Sequence, residues 1–431
     1  MPTVSSTKGT TVGISDDTAR DAYLYGYSME KAYEFLYETT IEPGVRLNEF
    51  QKLRDLADDT YTAHPTINND TLHLQGWFDV AAEPVVVRVP DVDGDRYWIL
   101  HTMDMGHYTT AMIGSRTRGA SGGTFLFAAR DWAGEVPDGV DEVIRSDSNL
   151  IKVMGRIMTT GGADLEIART LQDQWTLETL SEHRGTRAPA PVVRDFPDPA
   201  ATTWLHRVDF LLADGSMARA DAAWLVGLDA VGVEPGRTEF SDDQLDAAVR
   251  GEALGMQHLT ELVPTVSSSK GVLGTRDELQ DAPRDVFDIG TLVGQWGLPA
   301  VESVYVKIES AAGSNEYING AGGREFRATF PAPDVSEFWS VTVYGEDDRL
   351  MAHNSINRHS RGDRTLTPDE NGMYSILLSA DVDAHADDPE FLPIPEKDSY
   401  LILRLYGPST AIQDGDFTPP VFTPVPATST P

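Results

Sequence analysis

The segment HNSINRH at residues 353–359 places two histidines, two asparagines and one arginine within seven positions. A guanidinium binds carboxylate or phosphate groups through two parallel hydrogen bonds, so Arg358, flanked by Asn354 and Asn357, suits an anionic ligand. The alternative is a polar turn that closes a β-hairpin after the aromatic strand EFWSVTVY, with Arg358 joining two segments of the chain. The sequence leaves both interpretations open.

Four histidines, in two pairs spaced six residues apart, are candidate ligands of a divalent metal: His101, His107, His353 and His359. The first pair belongs to HTMDMGH, whose methionines share the histidine face of an extended strand, and imidazole with thioether suits copper. The second pair is too far apart to bind one ion without a ligand such as Asp70 or His107. The alternative is that the first pair fills the edge of a core. The cofactor stays unknown, with a divalent metal as one candidate.

The segment TINNDTLHLQGWFDV alternates apolar residues with His73, Gln75 and Trp77. These three side chains share the strand face opposite the apolar one. An aromatic ring beside hydrogen-bonding groups is a plausible floor for a small polar ligand or sugar. It is equally typical of an interdomain contact.

Gly119-Ala120-Ser121-Gly122-Gly123 fits the G-x-S-x-G pattern of a hydrolase nucleophile. That mechanism needs a strand before the serine and a helix after it, whereas the strand TFLFAA follows here, so we interpret the segment as a glycine-rich loop. The run Asp91–Asp95 lacks the length and distal glutamate of a calcium loop and indicates a hairpin turn.

The periodicity of the chain predicts the order helix, β, helix, β. Residues 16–58 have helical spacing, including a second short helix over RLNEFQKLRDLA, and residues 66–158 alternate as strands. Helical spacing returns over about 163–300, where ADLEIARTLQDQWTLETLSEH is the first segment, and strands follow at hairpin-like spacing. The fold class predicted is α+β, with two antiparallel β-sandwiches, an N-terminal helical segment and a helical middle domain.

The predicted domains are an N-terminal helical segment (1–62), a first β-sandwich (63–160), a helical domain (161–302), a second β-sandwich (303–408) and a tail (409–431). The tail is rich in proline and threonine, so we expect it to be disordered or to drape on a neighbouring element.

The formal net charge is −34, from 68 acidic and 34 basic residues. Such a field repels phosphate backbones and argues against nucleic-acid partners. Salt adaptation and a lineage preference for aspartate explain it equally well. Cysteine is absent, and we expect no signal peptide and no membrane span, which predicts a soluble protein whose compartment, cytoplasmic or periplasmic, and homo-oligomeric state stay open.

Several longer motifs resemble a known family. They are INNDTLHLQGWFDV, PVVVRVPDVDGDRYWILHTMDM, IGSRTRG and MGRIMTTGGADLEIARTLQDQW, followed by FWSVTVYGEDDRLMAHNSINRHSRGDRT, ENGMYSILLS, FLPIP and LILRLYGP. Over roughly residues 20–408 the chain resembles the family that carries two tandem domains of unknown function, numbered 1254 and 1214. The chain departs from the family pattern at His73, Ser355 and Phe391.

The resemblance implies an immunoglobulin-like first sandwich and a jelly-roll-like second one, with no established reaction, and family members are often exported in bacteria. By motif position it also implies a set of recurring polar and aromatic residues: Asn68, Asp70, Thr71, Asp104, Arg116, Thr117, Arg156, Trp339, Tyr344, Asn354, Asn357 and Arg358.

Three functions stay open. The first is an enzyme acting on a small polar or carbohydrate-like substrate in a cleft between the sandwiches, with Asp70 and Tyr344 catalytic. Its ligand-binding residues would be Asn68, Trp77, Arg116, Trp339, Asn354, Asn357 and Arg358. The second is a non-catalytic ligand- or glycan-binding, envelope-associated protein. The third is a divalent-metal-binding protein.

Overall fold

The computed structural model describes residues 13–63, 65–215, 222–266, 269, 271–279 and 281–426. The helices within these ranges are α1 (Asp16–Leu36), α2 (Ser115–Arg118), α3 (Gly162–Gln174), α4 (Leu180–Arg184), α5 (Trp204–Ala213), α6 (Ala222–Asp229), α7 (Asp242–Leu262), α8 (Arg276–Leu279), α9 (Arg284–Gly294), α10 (Val382–His385) and α11 (Thr410–Gln413). The first twelve residues of the predicted N-terminal segment and the last five of the predicted tail lie outside the described residues.

The described strands are β1 (Gln51–Lys52), β2 (Thr71–Asp79), β3 (Val85–Val89), β4 (Trp98–Met103), β5 (Thr109–Gly114), β6 (Gly123–Ala129), β7 (Glu142–Ser146), β8 (Leu150–Met158), β9 (Thr176–Thr179), β10 (Ser303–Ile308), β11 (Phe326–Pro331), β12 (Val335–Gly345), β13 (Ser360–Gly362), β14 (Met373–Ser379), β15 (Phe391–Pro393), β16 (Ser399–Pro408) and β17 (Thr423–Pro424).

These strands form four sheets. The strand orders are β1-β2-β8-β4-β5 in the first, β7-β6-β3-β9 in the second, β10-β16-β12-β13 in the third and β15-β14-β11-β17 in the fourth. Among the described pairs, β6–β7 and β14–β15 are parallel and the others are antiparallel. The fold therefore mixes helices with several largely antiparallel sheets. The immunoglobulin-like and jelly-roll-like topologies stay predictions, as do the domain bounds.

Three apolar cores hold these layers together. The first and second sheets share a core that includes Leu74 and Phe127, and the third and fourth sheets share one that includes Trp339 and Leu378. The other face of the first sheet carries Trp77, which joins the core of α1, α5 and the segment after α9. The first sheet is thus covered on both faces.

Helix α1 lies at the centre of the helical layer. It begins after Ser15, whose hydroxyl accepts a hydrogen bond from the backbone N–H of Thr18 and so caps the helix. Helix α7 packs closely against it because glycines face the contact: a Cβ at Gly251 would lie 2.3 Å from the carbonyl oxygen of Ala19. No helix in the described part of the chain is long and apolar enough to cross a membrane.

Two predicted helical segments contain strands instead. The short helix predicted over residues 46–57 is wrong, because Gln51 and Lys52 pair with Gln75 and Leu74 as β1. The helical segment predicted over residues 163–183 is interrupted at β9, which pairs with β3. In both places pairing with a distant strand overrides the local helical spacing.

The hairpin predicted at Asp91–Asp95 is also wrong. Its two flanking strands exist as β3 and β4, but β3 belongs to the second sheet and β4 to the first, so the turn crosses between sheets. The described part of the tail packs on neighbouring elements, which is the second of the two expectations for it. Strand β17 pairs with β11, and Phe422 is fully buried in the core of the third and fourth sheets.

Candidate functional site

The segment at residues 353–359 belongs to the connection between β12 and β13, which pair as antiparallel strands. The guanidinium of Arg358 donates hydrogen bonds to the carbonyl oxygens of Ala386, Asp388 and Phe391 at 3.0–3.3 Å. The Asn354 side chain accepts from the Arg358 backbone N–H at 2.8 Å and donates to its carbonyl oxygen. Arg358 therefore joins two segments of the chain, which is the structural alternative.

The other residues of this segment also bond within the protein. Asn357 has a left-handed backbone with φ of 51°, and its Oδ1 lies 2.6 Å from Nε2 of His359. The imidazole of His353 contacts the carboxylate of Asp59. Burial lowers the pKa of His359. Within the described residues, no group of three or more histidine, aspartate or glutamate side chains could hold a metal ion.

Asp70 and Tyr344 lie where β2 begins beside the third sheet. Asp70 accepts a hydrogen bond from the Ser340 hydroxyl at 2.7 Å, and Arg404 donates to the Tyr344 hydroxyl at 2.8 Å. Tyr344 in turn donates to the carbonyl oxygen of Ile67 at 2.5 Å. Burial raises the pKa of Asp70, and the positive charge of Arg404 opposes that rise. Burial also raises the pKa of Tyr344 to about 12.

Asn68 completes this arrangement. Its side-chain oxygen accepts from the backbone N–H groups of Asp70 and Thr71 at 3.0 and 3.1 Å, and its amide donates to the Tyr406 hydroxyl. We call Asn68, Asp70, Ser340, Tyr344 and Arg404 the interlobe network. The network joins the start of β2 to the third sheet, and its polar atoms bond within the protein, as a structural contact requires. The positive charge of Arg404 acts on Asp70 without a direct ion pair between them.

The remaining predicted ligand-binding residues lie elsewhere. Arg116 forms an ion pair with Glu302 at 2.6 Å, and Tyr97 donates to the same carboxylate. Trp339 is buried against Phe330 in the core of the third and fourth sheets. The structure therefore brings Asn68, Asp70 and Tyr344 together, whereas Arg116 pairs with Glu302 and Trp339 packs in a separate core.

A different set of polar side chains gathers on the helix-facing side of the first sheet, which we call its polar face. Opposed residues of β2, β8 and β4 form three successive rows: His73–Arg156–Ile99, Gln75–Met154–His101 and Trp77–Lys152–Met103. Side chains opposed across an antiparallel pair share one face. The histidine, glutamine and tryptophan that the sequence places on one face therefore lie beside two cations from β8.

Both cations are almost completely buried, with 1% of Lys152 and 5% of Arg156 exposed. The Lys152 ammonium lies 5.3 Å from the ring centre of Trp77 and 4.7 Å from that of Phe35, and donates to Gln75 Oε1 at 3.3 Å. Arg156 donates to the carbonyl oxygen of Trp296 at 3.0 Å. We call Gln75, Trp77, Lys152, Arg156 and Trp296 the cationic cluster.

The two cationic groups lean toward the row between them. Lys152 reaches Gln75, and a guanidinium nitrogen of Arg156 lies 3.9 Å from the sulfur of Met154. Gln75 and Met154 are directly opposed in the middle row. The ammonium and the guanidinium therefore converge from the two sides, and their shared sign disfavours that arrangement.

The cationic cluster lacks an internal counter-charge. In the described chain, no carboxylate lies within ion-pair distance of Lys152 or Arg156, and Nη1 of Arg156 is buried with no hydrogen-bond partner. The indole N–H groups of Trp77 and Trp296 are buried and unpaired as well. Burial, followed by the charge of Arg156, lowers the pKa of Lys152 to about 7.

Trp296 covers the cluster in a strained conformation. Its φ is 65°, and the φ of His107, which it contacts, is 70°, so both have left-handed backbones that bulky residues rarely adopt. The backbone N–H of Trp296 donates to Nε2 of His107 at 3.0 Å, and the two rings are 5.1 Å apart. Such strain persists only where surrounding contacts impose it, and it concentrates at functional sites.

A chain of hydrogen bonds holds His107 in place. Because Nε2 of His107 accepts, its Nδ1 carries the proton and donates to Thr291 at 3.2 Å. Thr291 bonds to Ser28 at 2.9 Å, and Ser28 donates to the buried carboxylate of Asp288. Burial lowers the pKa of His107 to about 3 and raises that of Asp288 to about 7.

The predicted metal ligands His101 and His107 both form hydrogen bonds within the protein. Both nitrogens of His107 are engaged within the protein, and Nε2 of His101 bonds to Thr109 at 3.0 Å. Burial lowers the pKa of His101 far below its ordinary value. The arrangement matches the core-edge alternative.

Sequence reasoning named Trp77 but missed Lys152 and Trp296. Two surface hollows of about 420 and 260 Å³ lie elsewhere, the first beside residues 234–239 and the second beside Phe330 and Phe417. Neither is lined by a predicted site residue or by the cationic cluster. The signal for the cluster is local: β8, LIKVMGRIM, carries its two cations four residues apart, and therefore on one face, within an otherwise apolar strand.

Two family models match the chain: "Protein of unknown function (DUF1254)" over residues 47–179 and "Protein of unknown function (DUF1214)" over residues 302–410. No curated protein matches it.

Two solved structures are similar to it. The VPA0106 protein from Vibrio parahaemolyticus is 54% identical with a TM-score of 0.84, over 95% of this chain and 99% of that one. A putative uncharacterized protein from Burkholderia cenocepacia is 11% identical over 95% of this chain and 94% of that one, with a TM-score of 0.44. Together, the two family models and the VPA0106 match show that the chain belongs to the family of proteins that carry DUF1254 and DUF1214 in tandem.

Proposed function

We propose that this protein binds a small organic anion at the cationic cluster. The observation that carries the proposal is the burial of Lys152 and Arg156 on one sheet face without a carboxylate from the described chain. An isolated charge in a protein interior costs several kcal/mol, so an anion that binds beside Lys152 and Arg156 stabilises their charged forms. A bound ligand supplies that negative charge.

The surroundings of the two cations indicate the class of ligand. Arg156 offers an unpaired guanidinium nitrogen, which suits a carboxylate. Trp77, Trp296 and Phe35 supply aromatic surface beside it. A short apolar body with one carboxylate matches this combination better than inorganic phosphate, because aromatic walls favour apolar contact.

Access to the cluster requires movement, since its cations are nearly fully buried. Trp296 is the element to move, because it follows the last turn of α9 and its backbone is strained. In this proposal the ligand enters beside Trp296 and the segment closes over it.

Asp70 and Tyr344 are structural in this proposal. If Asp70 and Tyr344 were catalytic in a cleft between the sheets, their polar atoms would have to contact the substrate. Those atoms already bond to Ser340, Arg404 and Ile67. The contact between the first and third sheets is also closed by aromatic rings, because Tyr97 lies 5.6 Å from Phe338 and 5.2 Å from Tyr406.

Calorimetric titration of the full chain with propionate, succinate and phosphate tests the proposal. We expect saturable binding of a carboxylate, and Arg156→Met should weaken it roughly ten- to a hundredfold, as expected for one hydrogen bond to a charged group. The matched control is Lys307→Met, because Lys307 also lies over an aromatic ring, Tyr400, at 4.5 Å but is paired with Glu309. Absence of binding to the wild type, or equal binding by Arg156→Met, would overturn the proposal.

A further inference from the structure

We propose that Lys152 captures a carbonyl compound covalently, as an imine, and that the compound is a short 2-oxo acid whose carboxylate binds Arg156. This inference rests on the proposed anion-binding function and names its substrate class. Three features of the structure support it: the surroundings of the amine, its position relative to Arg156, and its contrast with the other described lysines.

The surroundings of Lys152 favour a neutral amine. Its nitrogen is buried between the rings of Phe35 and Trp77, and its recorded hydrogen bond is to the neutral Gln75. Arg156 places a second positive charge on the same face of the sheet. Desolvation and a neighbouring cation are the two conditions that make a lysine nucleophilic at neutral pH.

The pKa of Lys152 agrees with this geometry. Burial, with Arg156 as the second cause, lowers it to about 7. A substantial fraction of the side chain is therefore the free amine near neutral pH, whereas an ordinary lysine is almost wholly protonated there.

The position of Arg156 selects the partner. Its guanidinium and the Lys152 amine converge on the row of Gln75 and Met154 from opposite sides. A 2-oxo acid carries its carbonyl carbon next to its carboxylate, so one molecule can present the carboxylate to Arg156 and the carbonyl to Lys152. The carbon chain of the acid then lies against the aromatic rings.

The reaction is a condensation without a redox step. The Lys152 nitrogen forms a bond to the carbonyl carbon, and the carbon–oxygen bond of the resulting carbinolamine breaks. The two hydrogens of the amine leave with the carbonyl oxygen as one molecule of water. The product is an imine between Nζ and the former carbonyl carbon.

The other described lysines differ in one respect that makes them controls. Each of the other four, Lys31, Lys52, Lys307 and Lys397, pairs with a carboxylate. Burial lowers the pKa of Lys52, whereas the pKa values of the other three are raised even though burial opposes the rise. Lys307 is the best match for Lys152, because it also lies over an aromatic ring, that of Tyr400.

Reductive trapping tests the inference. The full chain is incubated at pH 7 with pyruvate and sodium cyanoborohydride. The cyanoborohydride supplies the hydride that converts an imine into a stable secondary amine. The labelled peptide is then identified by mass spectrometry. We expect one pyruvate-derived addition on Lys152, formed about tenfold or more faster than on Lys307. Lys307→Met should label like the wild type, and Lys152→Met should lose the addition. If Lys152→Met fails to fold, Lys152→Arg gives the same result, because a guanidinium does not form the imine.

A parallel titration with lactate, which has a hydroxyl in place of the carbonyl, separates the two proposals. Lactate binding that depends on Arg156, without any adduct from pyruvate, would overturn the imine and leave anion binding standing. Absence of both would overturn both proposals. Labelling of Lys152 that is no faster than labelling of Lys307, or that is unchanged in Arg156→Met, would overturn the inference as well.

Discussion

The interlobe network and the cationic cluster are both buried and polar, but they differ in charge balance. In the interlobe network, the positive charge of Arg404 offsets the negative charge of Asp70, which bonds to Ser340. In the cationic cluster, Lys152 and Arg156 share one face without a carboxylate from the described chain. Buried polar groups therefore occur in two different electrostatic situations in this protein.

The proposed anion site follows from this difference. Buried groups of opposite charge with satisfied hydrogen bonds need no ligand to balance their charge. Removing one of them leaves the other as an uncompensated buried charge. A buried pair of like charges destabilises the folded protein, and an anion that binds between them raises the free energy of unfolding. The predictions that follow test this contrast.

The largest effect should come from Asp70. Asp70→Ala removes a negative charge that stabilises the buried Arg404 cation and leaves the Ser340 hydroxyl without its acceptor, so we expect a loss of about 3–5 kcal/mol in the free energy of unfolding. Denaturant titration measures it, and Ser340→Ala, which removes one hydrogen bond, should cost only about 1–3 kcal/mol. A stable Asp70→Ala protein would break the comparison and return Asp70 to the catalytic candidates.

Lys152 should give a pH-dependent effect of the opposite kind. Its pKa is about 7 in the folded protein, and roughly 10.4 is expected in the unfolded chain, so the unfolded chain holds more protons between these values. The unfolding free energy of the wild type should therefore rise from about pH 7 toward pH 10, by up to ~1.4 kcal/mol per pH unit, relative to Lys152→Met.

Below pH 7 both states carry the proton and the cost of the buried charge is fully present, so Lys152→Met should be the more stable protein there. Lys307→Met controls for general alkaline effects. A wild type that loses stability relative to Lys152→Met as the pH rises from 7 to 10 would contradict the unpaired state of this lysine.

Local spacing predicts much of this fold and less of its site. The alternation in SVYVKIES and SYLILRLYG predicts β10 and β16, and three- and four-residue spacing predicts α5 and α7. It fails over residues 46–57 and 176–179, where short strands pair with β2 and β3 across the chain. The partner of a strand can lie far away in the sequence, so the residue spacing within one segment does not predict the pairing.

The same limit applies to the site. The sequence places His73, Gln75 and Trp77 on one face, but the cations beside them come from β8 and the covering Trp296 lies more than two hundred residues further on than Trp77. Residue types also cannot separate a paired carboxylate from a catalytic one. Asp70 looks the same in either role until Ser340 and Arg404 are placed beside it.

Arg358 should show a smaller, purely structural effect. Arg358→Ala removes three hydrogen bonds to the carbonyl oxygens of residues 386, 388 and 391, so we expect a loss of roughly 1–3 kcal/mol in unfolding free energy. Carboxylate binding measured by calorimetry should be unchanged, in contrast to Arg156→Met. A variant with normal stability and weakened binding would assign the 353–359 segment to the ligand site after all.

Asn357 should show the smallest effect, and two substitutions there separate the contribution of the backbone conformation from that of the side chain. Its φ of 51° suits glycine and penalises alanine, and both substitutions remove the same bond to His359. We therefore expect Asn357→Gly to be more stable than Asn357→Ala by about 0.5–1 kcal/mol in denaturant titration, because the left-handed cost to alanine exceeds the entropy that glycine adds to the unfolded chain. Equal losses in the two variants would mean that the side-chain bond to His359, rather than the turn, holds this segment, and the turn interpretation would then rest on Arg358 and Asn354 alone.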